Sequence, residues 1–253
     1  MALLLNVGLI IFAFMLIMFV IGTAEKNNGL VDIGWGLGFC FVALYCFAHL
    51  AEGTIRQFLI TILVFIWGIR LALYLFKRNK GKAEDFRYAK WRKDWGKWVY
   101  IRGFFQIYML QGFLMLLIAL PIIQINVHYN KGINVLDAIG LVLWIIGFYF
   151  EAVGDAQKSK FKADPRNEGK IMRSGLWAYT RHPNYFGEVL VWWGTFCIAM
   201  ANGNFFPSII SPVLVTFLLT KVSGVAMLER KYIGNAEYEQ YKKEVPGFWP
   251  RLM

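Results

Sequence analysis

Cysteine is scarce in this chain: Cys40, Cys46 and Cys197 are the three in 253 residues. Each sits inside an apolar run, with no CxxC pair and no histidine at ligand spacing. That argues against a disulfide framework and against a cysteine-based zinc site. Acidic residues are also few, 16 against 27 lysines and arginines. What the sequence lacks most is a hydrophilic block long enough to fold around a core of its own, so the whole chain reads as one integral-membrane domain, 1–253. No internal repeat and no low-complexity segment stands out.

What is present instead is apolar sequence, 58% of the residues with 17% aromatic. Long apolar runs recur from end to end, which predicts an all-α, polytopic membrane bundle. Seven segments are expected to cross: about 2–22, 31–50, 56–76, 104–125, 135–153, 184–201 and 205–223. The first lacks a basic leader and a small-x-small cleavage site, and is expected to be a mature transmembrane helix. Residues 224–253 form a tail.

The net charge of +11 invites a nucleic-acid reading, but its distribution argues for topology. Loop 77–103 carries ten Lys/Arg, residues 154–183 carry seven and the tail from Lys221 carries six, which is 23 of the 27. Seven spans put all three regions on one side, leaving Arg56 and Lys131 in the opposite loops. The positive-inside rule then places the N-terminus outside and the C-terminus in the cytoplasm. Loop 77–103 mixes its cations with Trp, Tyr and Phe86, a composition that lies well among lipid headgroups. No nucleic-acid partner is expected.

The densest polar chemistry is "SGLWAYTRHPNYFGEVLVWWG", residues 174–194, where an apolar helix begins. Pro183 suits a first helical turn, where its missing N–H costs nothing. Asn184 and Glu188 then share a face at i,i+4, with Tyr185 beside them and Tyr179, Arg181 and His182 just before. Helix N-termini attract anions. Glu188 lies a turn inside the apolar run, and an ionisable group at that depth is functional by default. An interfacial belt of Arg, His and Tyr is the plainer alternative.

Three further groups accompany it. Glu151 and Asp155 are i,i+4 at the end of segment 5, suited to ribose hydroxyls or an adenine amine, and Arg173 closes the basic loop that follows. On segment 3, Arg70, Tyr74 and Arg78 recur at i, i+4, i+8, one turn after Trp67, with Asp32 as the expected partner of Arg70. After segment 7 come Glu229, Arg230 and Tyr232. "GWGLG" (Gly34, Gly36, Gly38) has no strand before it, so it reads as close helix packing rather than a dinucleotide loop. His49 and His128 read as interfacial.

On "VDIGWG", "RLALYLFKR", "EDFRY", "GLWAYTRHPNYFGEVLVWWG" and "LERKY…YEQYKKEVPGFWP", the chain resembles an integral-membrane superfamily. Its members are steroid 5-alpha-reductases, sterol reductases and isoprenylcysteine carboxyl methyltransferases. The chain looks closest to an uncharacterised bacterial, steroid-5-alpha-reductase-like branch of the inner membrane. For the reductases the resemblance implies NADPH held from the cytoplasmic side. Asn184 and Glu188 would stand near the nicotinamide, Asp155 near the adenosine, and Tyr74, Arg78 and Tyr232 close to the cofactor, with Arg70, Arg173 and Arg230 in support. Asp32 and Trp67 take the places of a Glu and a Tyr that polarise the substrate carbonyl; an indole N–H donates a hydrogen bond but is no phenolic acid. The expected activity is reduction of a conjugated C=C in an apolar substrate entering from the lipid bilayer. In the methyltransferase branch, R-H-P-x-Y-x-G binds S-adenosylmethionine, and Arg181, His182, Pro183, Tyr185, Gly187 and Glu229 would hold it. A non-catalytic lipid-binding bundle is the third reading.

Overall fold

The computed structural model describes residues 2–127, 132–203 and 206–251. His128 and Lys131 lie outside them. Among the described residues the regular structure is helical throughout. Among the described residues six helical stretches are long and apolar enough to cross a bilayer: Leu3–Ala24, Leu30–Leu50, Ile55–Asn79, Phe86–Ile118, Val135–Ala163 and Ile210–Glu229. Tertiary contacts gather into two compact units, Met1–Gly132 and Ile133–Met253.

In the first unit, α1 (Ala2–Ala24), α2 (Leu30–Leu50) and α3 (Ile55–Asn79) match the first three predicted segments closely. Helix α3 opens on a capping box, with the Thr54 hydroxyl accepting from the Gln57 N–H and the Gln57 side chain reaching back to the Thr54 N–H. Arg56, expected in a loop, is buried in the first turn. The fourth segment departs from expectation. Helical structure begins in the basic loop, with α4 (Phe86–Trp95) and α5 (Val99–Gly103). It runs through a π-helical stretch, Phe104–Met109, into α6 (Leu110–Ile118). It then breaks at Ala119 before α7 (Leu120–Val127), where Pro121 has no N–H to continue the ladder.

Glycine sets the packing of α2, as its sequence suggests. A Cβ on Gly36 would lie 2.3 Å from the Gly68 carbonyl oxygen of α3, and one on Gly38 would lie 2.4 Å from Met115 Cε of α6. Trp67 is 1% exposed and meets Phe39 edge-on at 5.6 Å.

In the second unit, α8 (Val135–Ala163) and α9 (Pro183–Met200) form an antiparallel pair. Helix α8 starts with an Asn134/Asp137 capping box and runs ten residues past its predicted end. The two helices meet along glycines. Gly140 lies against Gly194, Gly147 against Gly187, and Gly154 against Pro183. The glycines of α8 recur every seven residues, as do the two of α9, so a small residue returns to the contact face every second turn. Then come α10 (Ile210–Phe217), a π-helical stretch Leu218–Val222, α11 (Val225–Glu229) and α12 (Ala236–Glu244).

Candidate functional site

The start of α9 carries the most elaborate polar construction of the second unit. Pro183 occupies N1, as expected, and His182 is the N-cap position. Arg181 is gripped on all its nitrogens. Its Nε and Nη2 donate to Glu229 Oε1 at 3.0 and 2.7 Å, and its Nη1 donates to the Val245 and Lys242 carbonyls at 2.7 and 3.2 Å. His182 Nε2 lies 3.4 Å from the same Glu229 oxygen, with its ring stacked on Tyr185. His182 is 4% exposed, and burial holds its imidazole below the ordinary value against the pull of Glu229.

Beneath α9's first turn, Asn184 Nδ2 donates to Asp155 Oδ1 at 3.2 Å. Asp155 and Glu151 are both buried on α8. Glu151 stands where α8 touches Gly187, and Glu188 is half-buried one turn beyond Asn184. Trp177 Nε1 donates to the Gly154 carbonyl at 3.1 Å, and Lys158 Nζ lies 4.3 Å over the Trp177 ring.

The tail is strapped to the segment before α9. The Arg181 N–H donates to the Pro246 carbonyl, the Thr180 hydroxyl to Phe248, and the Arg251 N–H to Tyr179. The Tyr241 hydroxyl donates to the Trp177 carbonyl. Arg173 pairs with Glu244, donates to the Glu237 carbonyl and lies over the Tyr241 ring. Tyr232 stacks on Tyr238 at 4.4 Å, inside a small core of Tyr238, Tyr241 and Val245. Burial in this core pushes the Tyr238 and Tyr241 phenols up. Phe186 meets Phe150, Phe248 and Trp249 edge-on, so aromatic rings from α8 and the tail flank α9. The second unit thus brings together Asp155, Arg181, His182, Asn184, Tyr185 and Glu229. Arg173 and Tyr232 serve the strap, the half-exposed Tyr179 lends it a carbonyl, and Arg230 opens the short turn Arg230–Tyr232.

The remaining predicted residues belong to the first unit. Arg70 and Arg78 lie over the Tyr74 ring at 5.5 and 5.4 Å, which fits their i, i+4, i+8 spacing. For Asp32 the sequence reading needs correction. Its cationic partner is Arg87, with Nη2 on Oδ2 at 2.8 Å, where Arg70 was expected; the Tyr88 hydroxyl donates to Oδ1 at 2.6 Å. Arg87 also bonds Asp85, and a second pair, Glu84 with Arg92, sits alongside and accepts the Asn28 N–H. This network ties α4 to the start of α2. Its signal was the run "EDFRYAKWR", whose cations answer an aspartate that cannot stay unpaired in an apolar helix. Among the described residues no cluster of three or more His, Cys, Asp or Glu could hold a metal.

Comparison with known proteins now adds a family. The profile of a family described as a protein of unknown function, DUF1295, matches residues 18–245. The chain belongs to the DUF1295 family. That family lies in the steroid 5-alpha-reductase-like superfamily. An uncharacterised protein of Schizosaccharomyces pombe is 27% identical over 193 residues, covering 66% of this chain and 56% of that protein. The protein-S-isoprenylcysteine O-methyltransferase of the same yeast is 32% identical over 96 residues, 37% of this chain and 39% of the relative. A probable O-methyltransferase of Ustilaginoidea virens is 38% identical over 48 residues, 19% and 17% of the two chains. The DUF1295 chain therefore spans about half the length of the first of these relatives and less of the other two. No solved structure matches it.

Proposed function

We propose that this chain is a membrane enzyme that transfers a methyl group from S-adenosylmethionine to an acceptor held in the bilayer. The observation that carries the reading is the Arg181–Glu229–His182 clamp at the start of α9. NADPH is a polyanion, and its pyrophosphate and 2′-phosphate call for guanidinium forks aimed at the ligand. Here the forks of Arg181, Arg173 and Arg166 grip Glu229, Glu244 and Asp164 of the chain itself. Two buried carboxylates, Asp155 and Glu151, stand beside α9's first turn. Those acceptors fit a cofactor with a sulfonium, an ammonium and one carboxylate better than they fit a polyanion.

When bound, the cofactor supplies an electrophilic methyl group. Asp155, oriented by Asn184, would accept hydrogen bonds from ribose hydroxyls or the adenine amine. The clamp fixes the turn that presents Asn184 and Tyr185, and Phe186 packs that turn against Phe248 and Trp249. Attack by an anionic acceptor needs no proton donor from the protein. The family relatives named as methyltransferases favour the same reading.

NADPH-dependent reduction of a conjugated C=C is the second reading. It is favoured by Asn184 bonded to Asp155 one turn before Glu188, inside the N-Y-F-G-E element. In that case Asp32, Trp67 and Tyr74 would serve the substrate carbonyl, and Arg70, Arg78, Arg173, Arg230 and Tyr232 the cofactor. We place the site on the cytoplasmic face of a seven-span bundle whose N-terminus is outside. The deciding experiment is mass spectrometry, with 340 nm absorbance, of small molecules retained by protein purified gently from membranes. Retained or titratable S-adenosylmethionine is the expected result. NADP(H) in its place overturns the proposal in favour of reduction, and binding of neither points to a non-catalytic bundle.

A further inference from the structure

A cleft of about 400 Å³ opens in the first unit where α2 begins, α3 ends and the loop to α4 turns back. Its walls divide by chemistry. One side is apolar, from Leu30, Ile33 and Phe76; the rim carries Lys80 and Lys82, both exposed, at the point where α3 leaves its apolar run. Asp85 also lines the cleft, but its carboxylate accepts from the Arg87 N–H and Nε, and although Arg87 is shared with Asp32, the two lysines outweigh the one charge left over. The net sign offered to a ligand is positive.

The apolar wall does not stop at the cleft. On α3, Phe76 continues into Leu73, Ile69, Ile66 and Ile62, all between 40 and 52% exposed and spaced three or four residues apart on one face. On α2, Ile33 continues into Leu37, Phe41 and Leu44 at the same kind of spacing, with those three 37 to 51% exposed. Two apolar stripes thus run along the membrane helices and end beneath a pair of lysines. Long cationic side chains at the end of a spanning helix reach the headgroup level.

We infer that this cleft holds one acidic phospholipid, its phosphate between Lys80 and Lys82 and its acyl chains along the α2 and α3 stripes. The occupant is a lipid rather than free phosphate because the lysines alone would serve phosphate, whereas the apolar wall and the stripes demand a chain. It is acidic because a zwitterionic headgroup would bring a cation to a rim that is already positive. The inference uses no residue of the α9 site and does not depend on the cofactor.

The test is native mass spectrometry of the full chain in neutral detergent, titrated with phosphatidylglycerol or phosphatidylcholine. One phosphatidylglycerol should be retained in preference to phosphatidylcholine. Removing both charges, Lys80→Gln with Lys82→Gln, should weaken retention roughly thirtyfold, on the basis of the usual contribution of a lysine at an anionic surface. The matched pair on α4, Lys90→Gln with Lys93→Gln, removes the same charge elsewhere and should leave retention unchanged. Equal retention of phosphatidylcholine, equal loss in both double variants, or displacement of the lipid by millimolar inorganic phosphate would each overturn the inference.

Discussion

Glu229 is the residue on which the α9 turn converges. It accepts from two nitrogens of Arg181 and sits beside His182 in partly buried surroundings. Glu229→Gln leaves a neutral oxygen for a guanidinium that is only 10% exposed. Each charge-assisted bond contributes about 1.5–3 kcal/mol, so the variant should lose about 2 kcal/mol of stability, readable in a thermal-shift assay in detergent. Asp155→Asn tests the cofactor directly. It keeps the size of the side chain but removes the charge that accepts from Asn184, and should weaken S-adenosylmethionine binding about tenfold by calorimetry with little change in melting temperature. Undiminished binding would remove Asp155 from the site.

His182 adds a pH signature. Its folded value is depressed, chiefly by burial, so the unfolded chain takes up its proton first as pH falls. The stability it contributes is complete above the unfolded value near 6.5 and is lost as pH drops below that point through the folded value. The groups facing it are Glu229, which favours protonation, and Arg181 and Lys158, which oppose it. Melting temperature should therefore fall between pH 7.5 and 5.5, and His182→Gln should flatten that slope. An unchanged slope would show that another group titrates there. These residues were legible in the sequence, because an R-H-P-N-Y run at the mouth of an apolar helix has few structural reasons to exist. The role of Glu229 as the acceptor for both Arg181 and His182 was not legible, since 48 residues separate it from Arg181 and no periodicity spans such a gap. The same holds for Asp32. An aspartate in an apolar helix signals that it needs a cation, but not which one, and Arg70's place well inside an apolar run favoured it over Arg87 in the basic loop.

At the scale of the element, the α8–α9 seam governs where the site residues stand. Glu151 and Asp155 on α8 reach α9's first turn because glycine lets the two backbones touch. A Cβ on Gly187 would lie 2.4 Å from the Glu151 nitrogen and from the Gly147 carbonyl oxygen, and neither backbone atom can swing aside. Gly187→Ala should therefore part the helices, destabilise the protein by about 1–3 kcal/mol, and weaken cofactor binding through displaced Asp155. Gly8→Ala on α1 is the control: nothing lies within 4 Å of its Cβ position, and helix propensity predicts a gain of up to about 1 kcal/mol. Equal effects of the two substitutions would mean that the seam does not set the geometry. The seven-residue glycine spacing is plain once the helices are paired. In the sequence alone it is diluted among 24 glycines, several of which serve turns at positive φ instead. Helix boundaries failed for a related reason. Hydropathy finds where apolar sequence stops, but α8 continues for ten residues of polar helix, and α4 forms inside a loop of charges.

For the molecule as a whole, the topology turns on how often the second unit crosses the bilayer. Helix α9 has 18 residues, about 27 Å at 1.5 Å per residue, marginal for a hydrocarbon core near 30 Å. Its first turns carry Asn184 and Glu188, so its composition falls short of the six clear spans. The tail constrains that number by connectivity. Arg181 bonds the Val245 carbonyl, its N–H bonds the Pro246 carbonyl, and the Arg251 N–H bonds Tyr179. The segment just before α9 and the segment after α11 therefore share one side of the membrane. Any path between them must cross an even number of times. If Ile210–Glu229 crosses, α9 crosses with it, and the count is seven. In cells producing cysteine-free protein with single cysteines restored, a membrane-impermeant maleimide applied from outside should label Glu52→Cys. It should spare Lys93→Cys, Lys170→Cys and Lys243→Cys until the membrane is opened. Labelling of Lys243→Cys but not Lys170→Cys from outside would mean an odd number of crossings between them, and would contradict both the seven-span bundle and the tail strap on which the site is built.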